Sequence, residues 1–329
     1  MEKGYTASIT GVGSFLPGKV LTNDDFTKML DTTDEWITKR TGIKERRVVE
    51  NGATASDLAI EASLRALDDA NVLPSEVDLI IAATITPDCL VPSTACFIQE
   101  KIGAKNAGAF DLLAACSGFV YALSIARSFV ASGAMKTVLI VGTECLSKIT
   151  DYTDRSTCIL FGDGAGAVVV QRGNGKKEIV TTYLGSDGSQ ADLLKLPAGG
   201  SKLPVSQATI ESRSHYIQLK GKELFKTAIN NMVDMITKAA TDNNMQVEEF
   251  DIIIPHQSNI RIIEAAMERL KQPKKKAYIN IDRYGNTSAA SIPIAIDEID
   301  KEGLLSPGDS VLLVAFGGGL TWGTSLIKW

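Results

Sequence analysis

Three residues of this chain stand where a side chain can do chemistry. Cys116 lies in AACSG, where one apolar run breaks and another begins, and its small neighbours Ala114, Ala115, Ser117 and Gly118 allow a sharp turn and a reachable sulfur. Two readings of it stand. One is a small buried hydrophobe, the usual role of an unpaired cysteine. The other is a nucleophile at a strand-to-helix turn, whose pKa the positive end of a helix dipole lowers toward thiolate. His256 closes the run DIIIP, at the kind of strand end where α/β sites are built. Of the 2 histidines, the other, His215 in SRSHYIQLKG, has no such setting and reads as structural. Asn286, in RYGNTSAAS, is either an ordinary Gly-Asn turn or a neutral donor that cannot titrate, suited to holding a developing enolate.

Elements able to position these residues are legible. Short β-branched runs alternate with longer amphipathic ones, the pattern of an α/β protein. Strands are expected at 78–84, 137–142, 167–170, 251–255 and 310–316, and helices at 56–70, opened by Ser56, and 258–270, opened by Ser258. The spacing repeats: Asp78 to Val138 and Asp251 to Val311 each span 60 positions. Between each pair lie a helix, a short strand (AFDLL from 109, AYINID from 277), a turn of small residues and another helix. This predicts a duplicated α/β unit divided near GNGKKE, giving halves 1–174 and 175–329. A pseudo-twofold arrangement would then bring Cys116 and Asn286 to equivalent turns facing a shared centre.

Other classes are excluded. FGGGLTWG follows a strand and lets backbone approach a ligand, but no Gly-Lys-Ser/Thr follows it; FGDGAGAVVV precedes its strand. Neither fits nucleotide hydrolysis or dinucleotide binding. A net charge of −5 argues against nucleic acid, and no apolar stretch is long enough to cross a bilayer, so the chain reads as cytoplasmic. The 5 cysteines form an odd set without metal-ligand spacing, so free thiols are expected and no metal site. Basic residues that could meet an acidic partner are Lys220, Lys222, Lys226, Arg261, Lys271 and Lys274 to Lys276.

Six segments together, DEWITKRTGIKERR, DLLAACSGF, DRSTCILFGDGAGAVV, IIIPHQSNIRI, RYGNTSAASIP and FGGGLTWG, resemble β-ketoacyl-acyl carrier protein synthase III, the condensing enzyme that initiates type II fatty acid synthesis. The resemblance covers essentially the whole chain. It implies a thiolase-like α/β fold of two duplicated halves, each with a mixed five-stranded sheet, in αβαβα layers. It also implies that Cys116 is the acyl-accepting nucleophile, that His256 and Asn286 form a decarboxylation pair, and that the backbone N–H groups of Cys116 and Gly318 make an oxyanion hole.

By the same resemblance Trp36 and Arg155 clamp the adenine of coenzyme A, with Thr32, Arg40 and Asn259 nearby. Gln257, Ser258, Asn259, Ile260 and Arg261 contact the acyl carrier protein. The implied substrates are an acyl-CoA and malonyl-acyl carrier protein, with no cofactor, and the implied assembly is a homodimer. Val91, in CLVPSTACFIQ, departs from the phenylalanine often found in members restricted to short straight primers, where the residue borders the acyl pocket across the dimer interface. Either the pocket accepts branched or longer primers, or neighbouring side chains fill the gap. A degradative thiolase would need a cysteine beyond Cys158, and an elongating enzyme a histidine in place of Asn286. A related acyltransferase or specialised-metabolite condensing enzyme using Cys116 stands as the alternative.

Overall fold

The computed structural model describes residues 5–50 and 52–329. Among the described residues one sheet of nine strands runs through the molecule: β1 Ala7–Phe15, β2 Leu79–Ala83, β3 Gly108–Leu112, β4 Thr137–Cys145, β5 Asp163–Arg172, β6 Glu178–Ser186, β7 Ile252–Pro255, β8 Ser310–Gly317 and β9 Thr321–Lys328. Their order is β7-β8-β9-β6-β1-β5-β4-β2-β3. The helices that build the layers are α1 Asp34–Thr41, α2 Ala55–Asp69, α3 Thr94–Ile102, α4 Gly118–Ala131, α5 Gly221–Asp242, α6 Ile260–Arg269 and α7 Ser291–Lys301.

The 60-residue spacing is a sheet register. β2 pairs in parallel with β4, Leu79 against Val138, and β7 pairs in parallel with β8, Ile252 against Val311. The aspartates that open each repeat do the same work. Asp78 Oδ2 accepts from Thr137 N–H at 3.0 Å, and Asp251 Oδ2 accepts from Ser310 N–H at 2.7 Å. Each carboxylate thus pins the start of the neighbouring parallel strand.

Both faces of these strands are covered, which is why they read as continuous apolar runs. α2 and α3 cover the outer face of the first half, packing Leu58 and Ala62 against Ile80, Leu139 and Val141. α5 and α6 cover the far face of the second, where Ile236 and Ile263 meet Leu312 and Val314. Between the halves lie α4 and α7, whose Phe119, Leu123, Ile292 and Ile296 pack with Ile81, Ile140, Val311 and Leu313. Each such fully buried side chain stabilises the fold by about 1.5–3 kcal/mol.

Several local expectations shift. The two sheets expected are joined into one by the pairing of Ser8 with Glu178 between β1 and β6. The first half contributes five strands, the second four. In place of its fifth is a single bridge, Ile253 with Ala277, because the Gln257 side chain takes the ladder's bonds: its Nε2 donates to Tyr278 O at 3.0 Å and its Oε1 accepts from Asn280 N–H at 3.1 Å. α2 begins one residue early, capped by Thr54 in a capping box with Asp57, while Ser56 binds Asp88. α6 is capped by Asn259, whose Oδ1 accepts from Arg261 N–H, and Ser258 lies outside it. Among the described residues no helix is long and apolar enough to cross a membrane.

Candidate active site

Two matching turns meet between the halves. Cys116 lies in the 3₁₀ turn Ala115–Ser117 ahead of α4, and Ser288–Ala290 forms the same turn ahead of α7. Each opens on a non-glycine residue in the left-handed region, Ala115 with φ 47° and Ser288 with φ 49°, a conformation that only a constrained setting holds. These residues, like Leu79 and Ile252 or Val138 and Val311, stand 173 positions apart. By that register Cys116 matches Ala289, His256 matches Ala83, and Glu144 matches Gly317. The turns are equivalent, but Asn286 precedes the position matching Cys116.

Glycine permits the contact. A Cβ on Gly317 would lie 2.7 Å from Cys116 N, and one on Gly142 would lie 2.3 Å from Ala289 O, so each half's strand end passes directly under the other's turn.

Cys116 is 8% exposed, and burial pushes its thiol up to about 12, against a lowering influence of the Ser288 hydroxyl. That burial works against the lowering expected from the helix dipole. Among the described residues no backbone carbonyl accepts from the Cys116 or Gly318 N–H, which leaves both free for a ligand.

His256 is 3% exposed, and burial drives its pKa down to about 3, so it is neutral. Its Nδ1 lies 2.8 Å from Ser291 Oγ at the start of α7, and that oxygen also accepts from Gln257 N–H at 3.4 Å. With the serine proton directed to Nδ1, the ring carries its own proton on Nε2, a donor. Asn286 is held by Leu160 O and Gly162 N–H, and its Oδ1 accepts from Ser288 N–H at 2.8 Å. Its Nδ2 has no protein partner among the described residues and remains a donor.

Cys116, Asn286 and Gly318 line one cavity of about 1370 Å³ that opens past Trp36, Arg40 and Arg155. Ser258, Asn259 and Arg261 line it too, whereas His256, Thr32, Ile260 and Val91 are not among its lining residues. Gln257 is 1% exposed with its amide spent on Pro255, Tyr278 and Asn280, which removes it from any partner contact. Trp36 lies between two guanidiniums, Arg155 at 4.8 Å and Arg40 at 4.9 Å from the ring centroid. Asn259 Nδ2 donates to Arg40 O, tying α6 to α1.

The charged lining is Arg40, Arg155, Lys195, Lys222 and Arg261, with no carboxylate. A chain of net charge −5 thus presents a purely cationic cleft, one suited to a polyanionic ligand. Its inner walls, Ile85, Leu146, Ile149, Phe161, Ile217 and Leu219, are apolar. The sequence reading missed Lys195, Ser288 and the buried Glu144. For Glu144 the signal was available, a carboxylate closing the apolar run TVLIVGTEC.

Two stacked α/β halves, with a cysteine turn of one set against its counterpart in the other at the floor of a cationic cleft, define a thiolase-like acyl-transferring enzyme. Models of 3-oxoacyl-(acyl-carrier-protein) synthase III match residues 110–188, and of its C-terminal region residues 240–329. The chain is 53% identical, over 100% of its length and 99% of that protein's, to the beta-ketoacyl-(acyl-carrier-protein) synthase III of Caldanaerobacter subterraneus subsp. tengcongensis. It is 51% identical to that of Clostridioides difficile, with 98% of each chain covered. The crystal structure of the Aquifex aeolicus VF5 synthase III superposes with a TM-score of 0.90 at 49% identity, covering 98% of this chain and 100% of that one. The chain belongs to the 3-oxoacyl-(acyl-carrier-protein) synthase III family.

Proposed function

We propose that this enzyme initiates fatty acid synthesis: it condenses an acyl-CoA primer with malonyl-acyl carrier protein, releasing CO₂ and CoA and giving a 3-oxoacyl-acyl carrier protein. The observation that carries this reading is a cleft with five cations and no acid on its walls, leading to a buried thiol. The Cys116 sulfur attacks the thioester carbonyl; a new C–S bond forms, the bond to CoA breaks, and the Cys116 and Gly318 N–H groups hold the intermediate oxyanion. Loss of CO₂ from the malonyl group leaves an electron pair on an enolate, whose oxygen accepts from His256 Nε2–H and Asn286 Nδ2–H. Its carbon attacks the acyl group and the Cys116 sulfur departs.

Trp36 and Arg155 are the proposed clamp for the CoA adenine, beside Thr32, Arg40 and Asn259. Arg155 rests on the indole, so a base stacked between them displaces its guanidinium. The proposed carrier-protein contact is Ser258, Asn259, Ile260 and the exposed Arg261, without the buried Gln257. Leu90, Val91 and Leu113 are 81%, 85% and 78% exposed, an apolar surface that supports a homodimer in which Val91 borders the partner's acyl pocket. We place the enzyme in the cytoplasm, where its free thiols stay reduced, working as halves 1–174 and 175–329, and read the chemistry as needing no metal or bound cofactor.

Intact-protein mass spectrometry after incubation with a panel of acyl-CoAs, followed by CO₂ release from malonyl-acyl carrier protein, tests the reading. An acylated enzyme that releases no CO₂ would indicate the acyltransferase alternative. Val91→Phe is expected to reduce acylation by branched and longer primers at least about tenfold relative to acetyl-CoA; an unchanged primer profile would show that neighbours fill the space. Ser291→Ala is expected to slow decarboxylation about tenfold, the worth of one hydrogen bond of about 1.4 kcal/mol, and to leave the rate of acylation alone.

A further inference from the structure

Arg46 is 0% exposed, and among the described residues its hydrogen-bond acceptors are all neutral. Nη1 donates to Leu21 O at 3.2 Å and to Asn23 Oδ1 at 2.9 Å, and Nη2 donates to Ile159 O at 2.6 Å. The guanidinium carbon stands 4.6 Å from the centroid of the Phe26 ring. A buried cation without an acid beside it is costly, and an apolar side chain of similar length would avoid that cost. Arg46 is not among the residues lining the cleft, so it does not serve there as a charge for the ligand.

Three segments meet on this side chain. The first leads to α1: Asn23, which accepts from Arg46, donates through Nδ2 to Asp34 Oδ1 at 2.8 Å and to Ile43 O at 2.7 Å, and so grips both ends of the helix that carries Trp36 and Arg40. The second is the short helix Arg155–Cys158, which closes on Ile159, the residue whose carbonyl Arg46 binds. The third is the turn of Asn286. Asn286 N–H donates to Leu160 O at 2.8 Å, and Gly162 N–H donates to Asn286 O at 3.0 Å. A Cβ on Gly162 would lie 3.1 Å from Arg46 Cβ, and one on Gly285 would lie 3.2 Å from it, so the arginine stem packs against the backbone on both sides of that pairing.

We propose that Arg46 is a positioning residue that ties the adenine clamp to Asn286, holding Trp36, Arg155 and the amide that faces the enolate in one frame. A guanidinium suits this task because it is planar and presents its donors in a fixed fork, one nitrogen toward the α1 side and the other toward the segment after Arg155. An ammonium is a single point of attachment. Burial lowers the Arg46 pKa to about 10, so the fork keeps its donors at neutral pH. The Cys116 turn is held separately, by Ser117 N–H and Thr321 Oγ1 donating to Ala114 O, bonds in which Arg46 has no part.

This inference rests on the condensing role proposed for Cys116, His256 and Asn286, and the experiment separates the two. Three quantities are measured on the full-length protein: the KM for acetyl-CoA in the acylation of Cys116, the rate of acylation by acetyl-N-acetylcysteamine, a thioester without a nucleotide, and the rate of CO₂ release from malonyl-acyl carrier protein. Arg46→Met should raise the KM about tenfold and lower CO₂ release up to about 10²-fold, the scale of a displacement of about 1 Å at a reacting centre, while acylation by the short thioester stays within about twofold. Arg46→Lys should act in the same direction, and decides the matter alone if Arg46→Met does not fold. Asn23→Ala, which cuts only the arm to α1, should raise the KM and leave CO₂ release within a fewfold. Parental KM and CO₂ release in a folded Arg46 variant overturn the proposal, as does a change in one of the two without the other. An equal loss in all three quantities also overturns it, because a general loss of structure spares none of them. A parent that neither takes up acetyl groups nor releases CO₂ would instead overturn the condensing role.

Discussion

Cys116→Ala is expected to abolish condensation, lowering turnover by about 10⁴–10⁶-fold, the scale seen when a covalent nucleophile is removed. No acyl adduct should form on the intact protein with any acyl-CoA, while CO₂ release from malonyl-acyl carrier protein persists, since His256 and Asn286 remain. Cys116→Ser is the more searching variant. An alcohol is far harder to ionise than a thiol, and at 8% exposure the site disfavours an anion further, so serine should transfer acyl groups no better than alanine. Condensation by either variant at a rate within tenfold of the parent would refute the assignment of the nucleophile.

His256→Ala is expected to cost about 10²–10³ in decarboxylation, the usual loss when one donor to a developing oxyanion is removed. Acylation of Cys116 should stay within a fewfold of the parent. Asn286→Ala should do the same, and the double variant should fall short of the product of the two, because both donors serve one oxygen. The pH dependence follows from burial. His256, driven down to about 3, is in its neutral form throughout pH 5–9. Decarboxylation should therefore be flat across that window, and should change only as pH falls toward 3. A limb near pH 6.5 in the decarboxylation rate would mean that the imidazole titrates normally and is solvated, contrary to the geometry.

How much of this was legible beforehand differs by residue. Cys116 and His256 stood out because each ends a run of apolar residues, and strand ends are where side chains escape the core; Asn286 stood out as an amide in a Gly-Asn turn between a short strand and a helix. The duplication was legible because an interval of 60 positions recurs with the same element order, and the register pairs Leu79 with Val138 and Ile252 with Val311. Finer features were not. Ser56 and Ser258 are good capping residues that lost to Thr54 and Asn259, whose oxygens are the ones aimed at the free N–H groups. The strand from 277 dissolved because a glutamine side chain competed for its backbone.

Chain order alone thus established the α/β alternation, the repeat and the three candidate residues, since these depend on periodicity and local hydrogen bonding, which spacing encodes directly. Folding decided that the turn of Cys116 in one half and the turn after Asn286 in the other meet at one cavity. It also set the ionisation states there: a thiol held up, an imidazole held down, and Glu144 brought beneath the opposite turn. Desolvation is the physical reason. It depends on everything that surrounds an atom, and what surrounds these atoms comes from distant parts of the chain: Gly317 beneath Cys116, Ser291 beside His256 and Thr86 against Glu144.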